Sequence, residues 1–88
     1  MPFVYIVQCA DGTLYTGWAV DVLARVKVHN RGRGAKYTQA RLPVRLVYSE
    51  AWPNRAGAMR RERQIKRWPR TRKLALFRRA PGRNVPRL

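Results

Sequence analysis

Five side chains in this 88-residue chain have the chemical types that phosphate-ester cleavage requires. They are two phenols, a guanidinium, an imidazole and a carboxylate: Tyr5, Tyr15, Arg25, His29 and Glu62. Cleavage needs an activated water, neutralisation of the charge that builds up on the phosphate, and help for the leaving oxygen. An arginine can clamp phosphate oxygens, a carboxylate can hold a hard divalent cation, and a tyrosine or histidine can take or relay the proton of water. Together these residues therefore suit phosphodiester hydrolysis.

Each of the five also has a structural interpretation. A tyrosine in a strand is usually a core residue with a satisfied hydroxyl, and a histidine near a helix end is favoured by the helix dipole. Glu62 is one of only four acids, and its spacing turns it toward the core, where a partly buried salt bridge to Arg25 or Lys66 is the alternative to metal binding. A tyrosine ordinarily has a pKa of ~10, so a basic role requires a lower pKa, which we expect from Arg25 and a bound metal.

A predicted hairpin positions the two tyrosines. Two strand-forming runs, Val4–Val7 and Leu14–Thr16, flank an Asp-Gly turn. A three-residue loop over 10–12 would pair Tyr5 with Gly17 and put Tyr15 on the same face, whereas a two-residue loop would put the phenols on opposite faces. Because Gly17 has no side chain, we expect open space beside Tyr5 and interpret that space as the active site.

The rest of the chain predicts three helices and a third strand. A helix opens at Asp21, carries the apolar pattern Val22, Leu23 and Val26, and ends at Asn30 and Gly32. A loop over 31–41 leads to an alternating strand, Val44–Glu50. Asn54 caps a helix over Arg55–Arg67 with the inner stripe Ala58, Met59, Ile65 and Trp68. A last helix, about Arg70–Arg78, is expected to bury Leu74, Ala75 and Phe77. We expect an α/β chain with one domain over residues 1–80 and a loose basic tail over 81–88.

The composition predicts a polyanionic partner. Twenty Lys and Arg residues against four acids give a net charge of +16, which favours nucleic acid over a membrane surface. The single cysteine, Cys9, excludes an internal disulfide and is expected to be buried. The sequence has no apolar run long enough to span a membrane and no leader pattern, so a cytoplasmic location is expected.

Two groups of cations are predicted to follow the nucleic-acid backbone. The loop over 31–41 offers four cations to phosphates and one aromatic ring to a base: Arg31, Arg33, Lys36, Arg41 and Tyr37. The second helix offers Arg60, Arg61, Arg63, Lys66 and Arg67. The tryptophans Trp18, Trp52 and Trp68 are interpreted as packing residues, with base stacking as the alternative, above all for Trp18. Since no pattern predicts base readout, we expect weak sequence preference.

Several segments in the same order resemble the GIY-YIG endonuclease family. VYI (4–6) and YTG (15–17) resemble its two half-motifs, and DVLARVKVHN (21–30) resembles its helix with an arginine and a histidine four residues apart. GRGAKYTQARLPVRLVYSE (32–50) and RRERQIKRW (60–68) resemble its loop, third strand and glutamate helix. The likeness covers about residues 3–78 and is greatest to the small YhbQ-like, or UPF0213, group. Val4 and Thr16 depart from the name-giving pattern, and both are expected to point away from the tyrosine face.

The resemblance implies a small three-stranded antiparallel sheet flanked by about three helices, of the α+β type, and hydrolysis of DNA with one Mg²⁺ or Mn²⁺ ion. It implies that Glu62 is the only protein ligand of the metal and that Arg25 stabilises the phosphate. Tyr15 is the preferred general base, Tyr5 is the other motif tyrosine, and His29 is a proton relay or a substrate contact. Gly17 is the glycine that would admit the phosphate. DNA repair or processing is a possible setting.

Two other functions stay open at this point. A binding module could keep the nuclease fold without turnover, and a ribosome- or RNA-associated structural protein would also fit the charge. RNA stays open as a substrate, as do a protein partner and a homodimer. The presence of all five residues favours the enzyme over the binding module. A structural protein that binds RNA would not explain why Glu62 falls in the inner stripe of its helix.

Overall fold

The structure, a computed structural model, describes residues 1–78. The elements follow in the order β1 (Phe3–Gln8), β2 (Leu14–Ala19), α1 (Val22–Asn30), α2 (Lys36–Gln39), β3 (Arg45–Ala51), α3 (Arg55–Lys66) and α4 (Arg70–Arg78). The expected α+β architecture, with a three-stranded antiparallel sheet, is confirmed. The interpretations of a tail over 81–88 and of a domain end at residue 80 lie outside the described residues.

The hairpin between β1 and β2 has the three-residue loop that puts both tyrosines on one face. The Cys9 amide donates to the Thr13 carbonyl at 2.8 Å, and Gly12 has a φ of +87°. Glycine tolerates this left-handed conformation because it has no Cβ. Tyr5 therefore stands opposite Gly17, as predicted, and Tyr15 stands opposite Val7.

The sheet order is β2-β1-β3, so β1 is the central strand and each of its faces supports a hydrophobic cluster. On one face, Tyr5 and Val7 pack with Val22 and Val26 of α1. On the other face, Val4 and Ile6 pack with residues of α3 and α4. Because side chains alternate along a strand, the sheet separates the tyrosine face from the α3 face.

Strand β3 departs from the predicted alternation. Ile6 stands opposite Tyr48, but the next pair joins Val7 to Leu46, so Val47 is an extra residue in β3. This bulge lets Val47 and Tyr48 both pack in the α3-side cluster, while Leu46 packs on the tyrosine face. Strict alternation was therefore the wrong prediction for this strand.

The predicted helix caps are present. The carboxylate of Asp21 accepts from the Ala24 amide at 3.0 Å, and the side-chain oxygen of Asn54 accepts from the Gly57 amide at 2.8 Å. These contacts satisfy amides that the first helical turn leaves unpaired. They fix where α1 and α3 begin, and the packing of the two clusters places α1 on the tyrosine face and α3 on the other face.

Other details of the helices differ from the predictions. The segment over 31–41 is not entirely loop, since it contains α2. Ala58 and Ile65 are buried as expected, whereas Met59 is exposed because it lies about 100° around α3 from Ala58. In α4, Ala75 is exposed and Leu76 packs instead. The tryptophans pack as predicted in the α3-side cluster: Trp18, Trp52 and Trp68. No helix within residues 1–78 has the length and apolar character to cross a membrane.

Candidate active site

Four of the five predicted site residues line one pocket of about 470 Å³. The phenols come from the hairpin, and the cation and imidazole come from successive turns of α1: Tyr5, Tyr15, Arg25 and His29. Arg33, Gly34 and Ala35, from the segment before α2, form the opposite wall. Glu62 is not on this lining, because it belongs to α3 on the other side of the sheet.

The space beside Gly17 is occupied by Tyr5 itself. A Cβ at Gly17 would lie 2.5 Å from the Tyr5 hydroxyl oxygen and 2.7 Å from Cζ. The expectation of open space at Gly17 is therefore wrong. The glycine is needed because the phenol of Tyr5 lies against the backbone of β2, and the pocket begins beyond that phenol.

A buried hydrogen-bond chain runs from Tyr5 through His29 to the segment at α2. The Tyr5 hydroxyl lies 2.8 Å from His29 Nε2, and His29 Nδ1 lies 3.0 Å from Thr38 Oγ1. The Thr38 hydroxyl has one proton and donates it to the Ala35 carbonyl at 2.9 Å. Thr38 Oγ1 must then accept from His29 Nδ1–H, which leaves Nε2 of the neutral ring as the acceptor of the Tyr5 proton.

Burial controls the protonation of this chain. Tyr5 is 1% exposed, and its burial, together with the nearby Tyr15, raises its pKa despite the opposing charge of Arg25. Arg25 thus acts on the Tyr5 pKa in the expected direction, but burial and Tyr15 outweigh it in the protein alone. Burial, and then the charge of Arg25, lower the pKa of His29, so its ring is neutral at pH 7. His29 is 2% exposed, which fits a relay better than a substrate contact.

Tyr15 differs from Tyr5 in being only half-buried. Its ring meets the His29 ring edge-on at 5.4 Å and stacks on Tyr37 at 6.1 Å. The ammonium group of Lys66 lies 5.5 Å from the centre of the Tyr15 ring. Of the two phenols that line the pocket, Tyr15 is therefore the more accessible one.

Glu62 lies within electrostatic reach of the pocket. Its negative charge is one of the influences that raise the pKa of Tyr5. Its side chain is 18% exposed and forms an ion pair with Lys66 at 3.7 Å, so the salt-bridge alternative is present. Such pairs one helical turn apart are typically worth only about 0.3–0.5 kcal/mol. Lys66 therefore leaves the carboxylate available to a stronger partner.

The carboxylate of Glu50, by contrast, is fully engaged. It accepts from Tyr48 and Trp52, each at 2.5 Å, and from Nε of Arg61 at 2.9 Å. These donors make Glu50 a structural acid of the α3 side. Comparison of the two glutamates singles out Glu62 as the carboxylate with free capacity.

The donor set at Glu62 fits a magnesium-like ion. No group of three or more His, Cys, Asp and Glu side chains comes together anywhere in residues 1–78. Mg²⁺ does not require such a group, because it keeps several waters and commonly binds one or two carboxylates together with phosphate oxygens. A single hard carboxylate beside a phosphate-binding pocket meets that requirement.

The predicted nucleic-acid residues are in different situations. Arg33 lines the pocket, and Arg31 and Lys36 are exposed on the same segment. Arg41 is fixed by Asp11 at 3.2 Å and by the Tyr37 carbonyl at 2.7 Å, and it lies 4.1 Å above the Tyr37 ring. Tyr37 is 41% exposed.

Arg61 does not fit the nucleic-acid role predicted for it. Its guanidinium is bound to Glu50 through two nitrogens, and its side chain is 24% exposed. It also lies over the ring of Trp68 at 5.1 Å. Arg61 therefore stabilises the junction of β3, α3 and α4, and we remove it from the proposed contacts.

Sequence reasoning missed three residues that build the site. Thr38 is fully buried and fixes the His29 tautomer. Gly34 lies so near His29 that an added Cβ would overlap the ring at Nδ1. The amide of Asn30 bonds both backbone groups of Val44, at 2.7 and 3.0 Å, and so ties α1 to β3. Of these three, only Gly34 could have been noticed in the sequence, because it belongs to the repeated glycines of 32–34. The contacts of Thr38 and Asn30 join segments that are distant in the sequence.

The profile of the GIY-YIG catalytic domain matches residues 1–75. The chain belongs to the GIY-YIG family. It is similar to the UPF0213 proteins of Staphylococcus aureus strains Mu3 and Mu50, each 57% identical over 75 residues, or 85% of this chain and 92% of each relative. The solution NMR structure of the UPF0213 protein BH0048 from Bacillus halodurans is 44% identical, with a TM-score of 0.59 over 94% of this chain and 89% of that chain. Membership supports a nuclease-like function, and nucleases of this family generally use divalent metal ions.

Proposed function

We propose that this GIY-YIG protein is a metal-dependent endonuclease that hydrolyses DNA phosphodiester bonds with weak sequence preference. The observation that carries the proposal is the shared pocket of Tyr15, Arg25 and the Tyr5–His29 pair, with the carboxylate of Glu62 in electrostatic reach. A purely structural set of these residues would have no reason to surround a pocket of about 470 Å³.

Arg25 is the phosphate-binding residue in this proposal. It is exposed and lines the pocket beside both phenols. A guanidinium can donate two parallel hydrogen bonds to the non-bridging oxygens and can stabilise the charge that develops on them. Arg33, on the facing wall, offers a second cation to the same strand.

Tyr15 is the proposed general base. Tyr15 acts as the tyrosinate: water attacks phosphorus and its proton passes to the phenolate oxygen, while the bond from phosphorus to the leaving oxygen breaks and that oxygen takes a proton from solvent water. Tyr5 is the poorer choice, because its pKa is raised by burial and its own proton is directed to His29. Tyr5 instead presents an oxygen that orients the attacking water, and His29 holds that phenol in place.

Glu62 would hold one Mg²⁺ or Mn²⁺ ion, which would polarise the phosphate and stabilise the leaving oxygen when bound. The DNA strand on either side of the pocket would contact Arg31, Lys36, Arg41 and Tyr37. Because these contacts are made to phosphates and to one base face, they carry little sequence information. DNA repair or processing would be a consistent setting.

A cleavage assay with matched variants tests the proposal. Purified protein is incubated with single-stranded, duplex, flap and damaged DNA and with Mg²⁺ or Mn²⁺, beside Tyr15→Phe and Glu62→Gln. Tyr48→Phe and Glu50→Gln are the controls, since they make the same chemical changes on the other side of the sheet. We expect both site variants to lose at least ~100-fold in rate, the usual contribution of acid–base catalysis. Tight DNA binding without products from any substrate would instead support a binding module.

A further inference from the structure

The solvent face of α3 has three arginines that form a single stripe. Arg60, Arg63 and Arg67 fall within about 60° of one another around the helix, on the side opposite Ala58 and Ile65. With Gln64 and Trp68 they line a groove of about 410 Å³. The stripe is thus an organised surface and not a scatter of exposed charges.

Within residues 1–78, no acidic side chain balances this stripe. The chain has four acids: Asp11 pairs with Arg41, Asp21 caps α1, Glu50 holds Arg61 and Glu62 pairs with Lys66. Within residues 1–78 no ion pair or side-chain hydrogen bond engages the arginines of the stripe. Like charges three and four residues apart destabilise a helix. A bound polyanion would remove that repulsion.

The aromatic floor of the groove is fixed in place. Trp68 packs into the α3-side cluster, and its ring lies under the guanidinium of Arg72 at 4.1 Å and of Arg61 at 5.1 Å. Arg61 is anchored in turn by Glu50. The ring of Trp68 and the guanidinium of Arg72 are therefore held together at the border of the groove, beside the stripe arginines.

The stripe and the catalytic pocket lie on opposite faces of the sheet. The pocket belongs to the face covered by α1, whereas α3 covers the other face and turns the stripe outward. A short straight segment of DNA that occupies the pocket cannot also lie along the stripe. We infer that the stripe binds a second nucleic-acid segment, through its phosphates, while the first occupies the pocket; this rests on the proposed function of the pocket.

Phosphodiesters are the chemistry that this surface fits. Guanidinium groups bind phosphate oxygens with two parallel hydrogen bonds, and residues three and four apart on a helix lie about 5–6 Å from each other. Such a stripe can contact successive phosphates of one strand. The substrate class that follows is one with two arms, a branched or looped nucleic acid, or two separate duplexes held by one protein molecule.

A bridging experiment tests this inference. The triple variant R60Q/R63Q/R67Q is compared with wild type and with K27Q/R45Q/R55Q, which removes the same charge from exposed positions elsewhere. One short duplex is immobilised, protein is bound and washed, and capture of a second, labelled duplex is measured. We expect the stripe variant to lose capture and the control to keep it. Its log-log salt slope should also fall in magnitude by about 2 to 3, since each phosphate contact contributes about 0.9.

Three outcomes would overturn the inference. They are equal loss of capture in both triple variants, absence of capture by monomeric wild-type protein, and binding of the stripe to anionic vesicles or acidic protein but not to a second duplex. The cleavage assay is read separately. Bridging of two duplexes without any cleavage would contradict the proposed nuclease function and leave the second binding surface standing. Cleavage without bridging would contradict the second binding surface and leave the nuclease function standing.

Discussion

The hydroxyl of Tyr5 donates a hydrogen bond to Nε2 of His29 across 2.8 Å, inside the core of the protein. This bond joins the first strand to the first helix and determines which phenol is free for chemistry. Tyr5 keeps its proton, and its pKa is raised by burial; this is why we propose the half-buried Tyr15 as the general base. The direction of the bond depends on Thr38, which accepts from the other ring nitrogen.

Replacing Thr38 with valine should change the tautomer of His29. Without the acceptor at 3.0 Å, the Nδ1–H form loses its partner, and the population should shift toward the Nε2–H form. Because His29 is the only histidine in the chain, ¹⁵N NMR of the imidazole reports on it without ambiguity. Thr38→Ser keeps the acceptor and should keep the wild-type spectrum. Wild-type protein with its proton on Nε2 would contradict the proposed direction of the chain.

Acidification should destabilise the protein near neutral pH through His29. Burial and Arg25 hold its folded pKa below the ordinary value of 6.5, so the unfolded chain binds this proton first. The contribution of His29 to the free energy of unfolding is fully present above about pH 6.5, decreases as the pH drops toward the folded pKa, and does not decrease further below that pKa. Because one proton is involved, the free energy of unfolding changes by at most about 1.4 kcal/mol per pH unit. Urea unfolding between pH 7.5 and the onset of carboxylate titration measures the slope.

The control for this pH dependence is His29→Gln. Its stability is expected to be lower at every pH, because Tyr5 and Thr38 lose their partner, but the slope should disappear. The groups that face the ring across the pocket are Tyr5, Tyr15 and Arg25. A slope that persists in the variant would assign the pH dependence to another group.

Local rules predicted the parts of the fold that depend on neighbours in sequence. The Asp-Gly turn predicted the hairpin and reduced its register to two alternatives, of which the one that pairs Tyr5 with Gly17 is present, and the caps Asp21 and Asn54 predicted where two helices begin. The bulge at Val47 was not predictable in this way. It depends on which face of the sheet the helices after it cover, and that is a property of the whole fold.

The members of the site could be predicted where the type of a side chain indicates a chemical role. Spacing along α1 predicted that Arg25 and His29 lie in successive turns, and they share the pocket. The role of Gly17 was misjudged, because sequence cannot say whether a neighbouring ring fills the space that a glycine leaves. Thr38 carries no signal at all, since its contact with His29 forms only when the segment at α2 folds back over α1.

Gly17→Ala should disrupt the site from the backbone side. The added methyl group would lie 2.5 Å from the Tyr5 oxygen, and the ring cannot yield without breaking its bond to His29. Overpacking of this kind typically costs about 1–3 kcal/mol. Urea unfolding and the His29 ring signals should both change. Gly12→Ala is the control: its Cβ meets no atom within 4 Å but its φ is +87°, so it should lose stability and keep the ring signals.

The two fully buried threonines should respond to valine with opposite signs. Thr16 is on the α3 side of β2, at the position where the YIG half-motif of the family has an isoleucine. Its hydroxyl oxygen has no hydrogen-bond partner within residues 1–78. Thr38 is equally buried but bonds both His29 and the Ala35 carbonyl. Removing an unsatisfied buried hydroxyl without changing shape should stabilise the protein by about 1 kcal/mol, whereas removing a satisfied one should cost about 1–3 kcal/mol.

Urea unfolding of Thr16→Val and Thr38→Val at pH 7.5 measures both effects in one experiment. Valine and threonine have nearly the same shape, so the two variants differ mainly in the hydrogen bonds that they lose. The double variant should show the sum of the two effects, because the sheet separates the sites. Destabilisation by Thr16→Val of a size similar to Thr38→Val would mean that the Thr16 hydroxyl has a partner in solution, and a bound water would then be sought beside it.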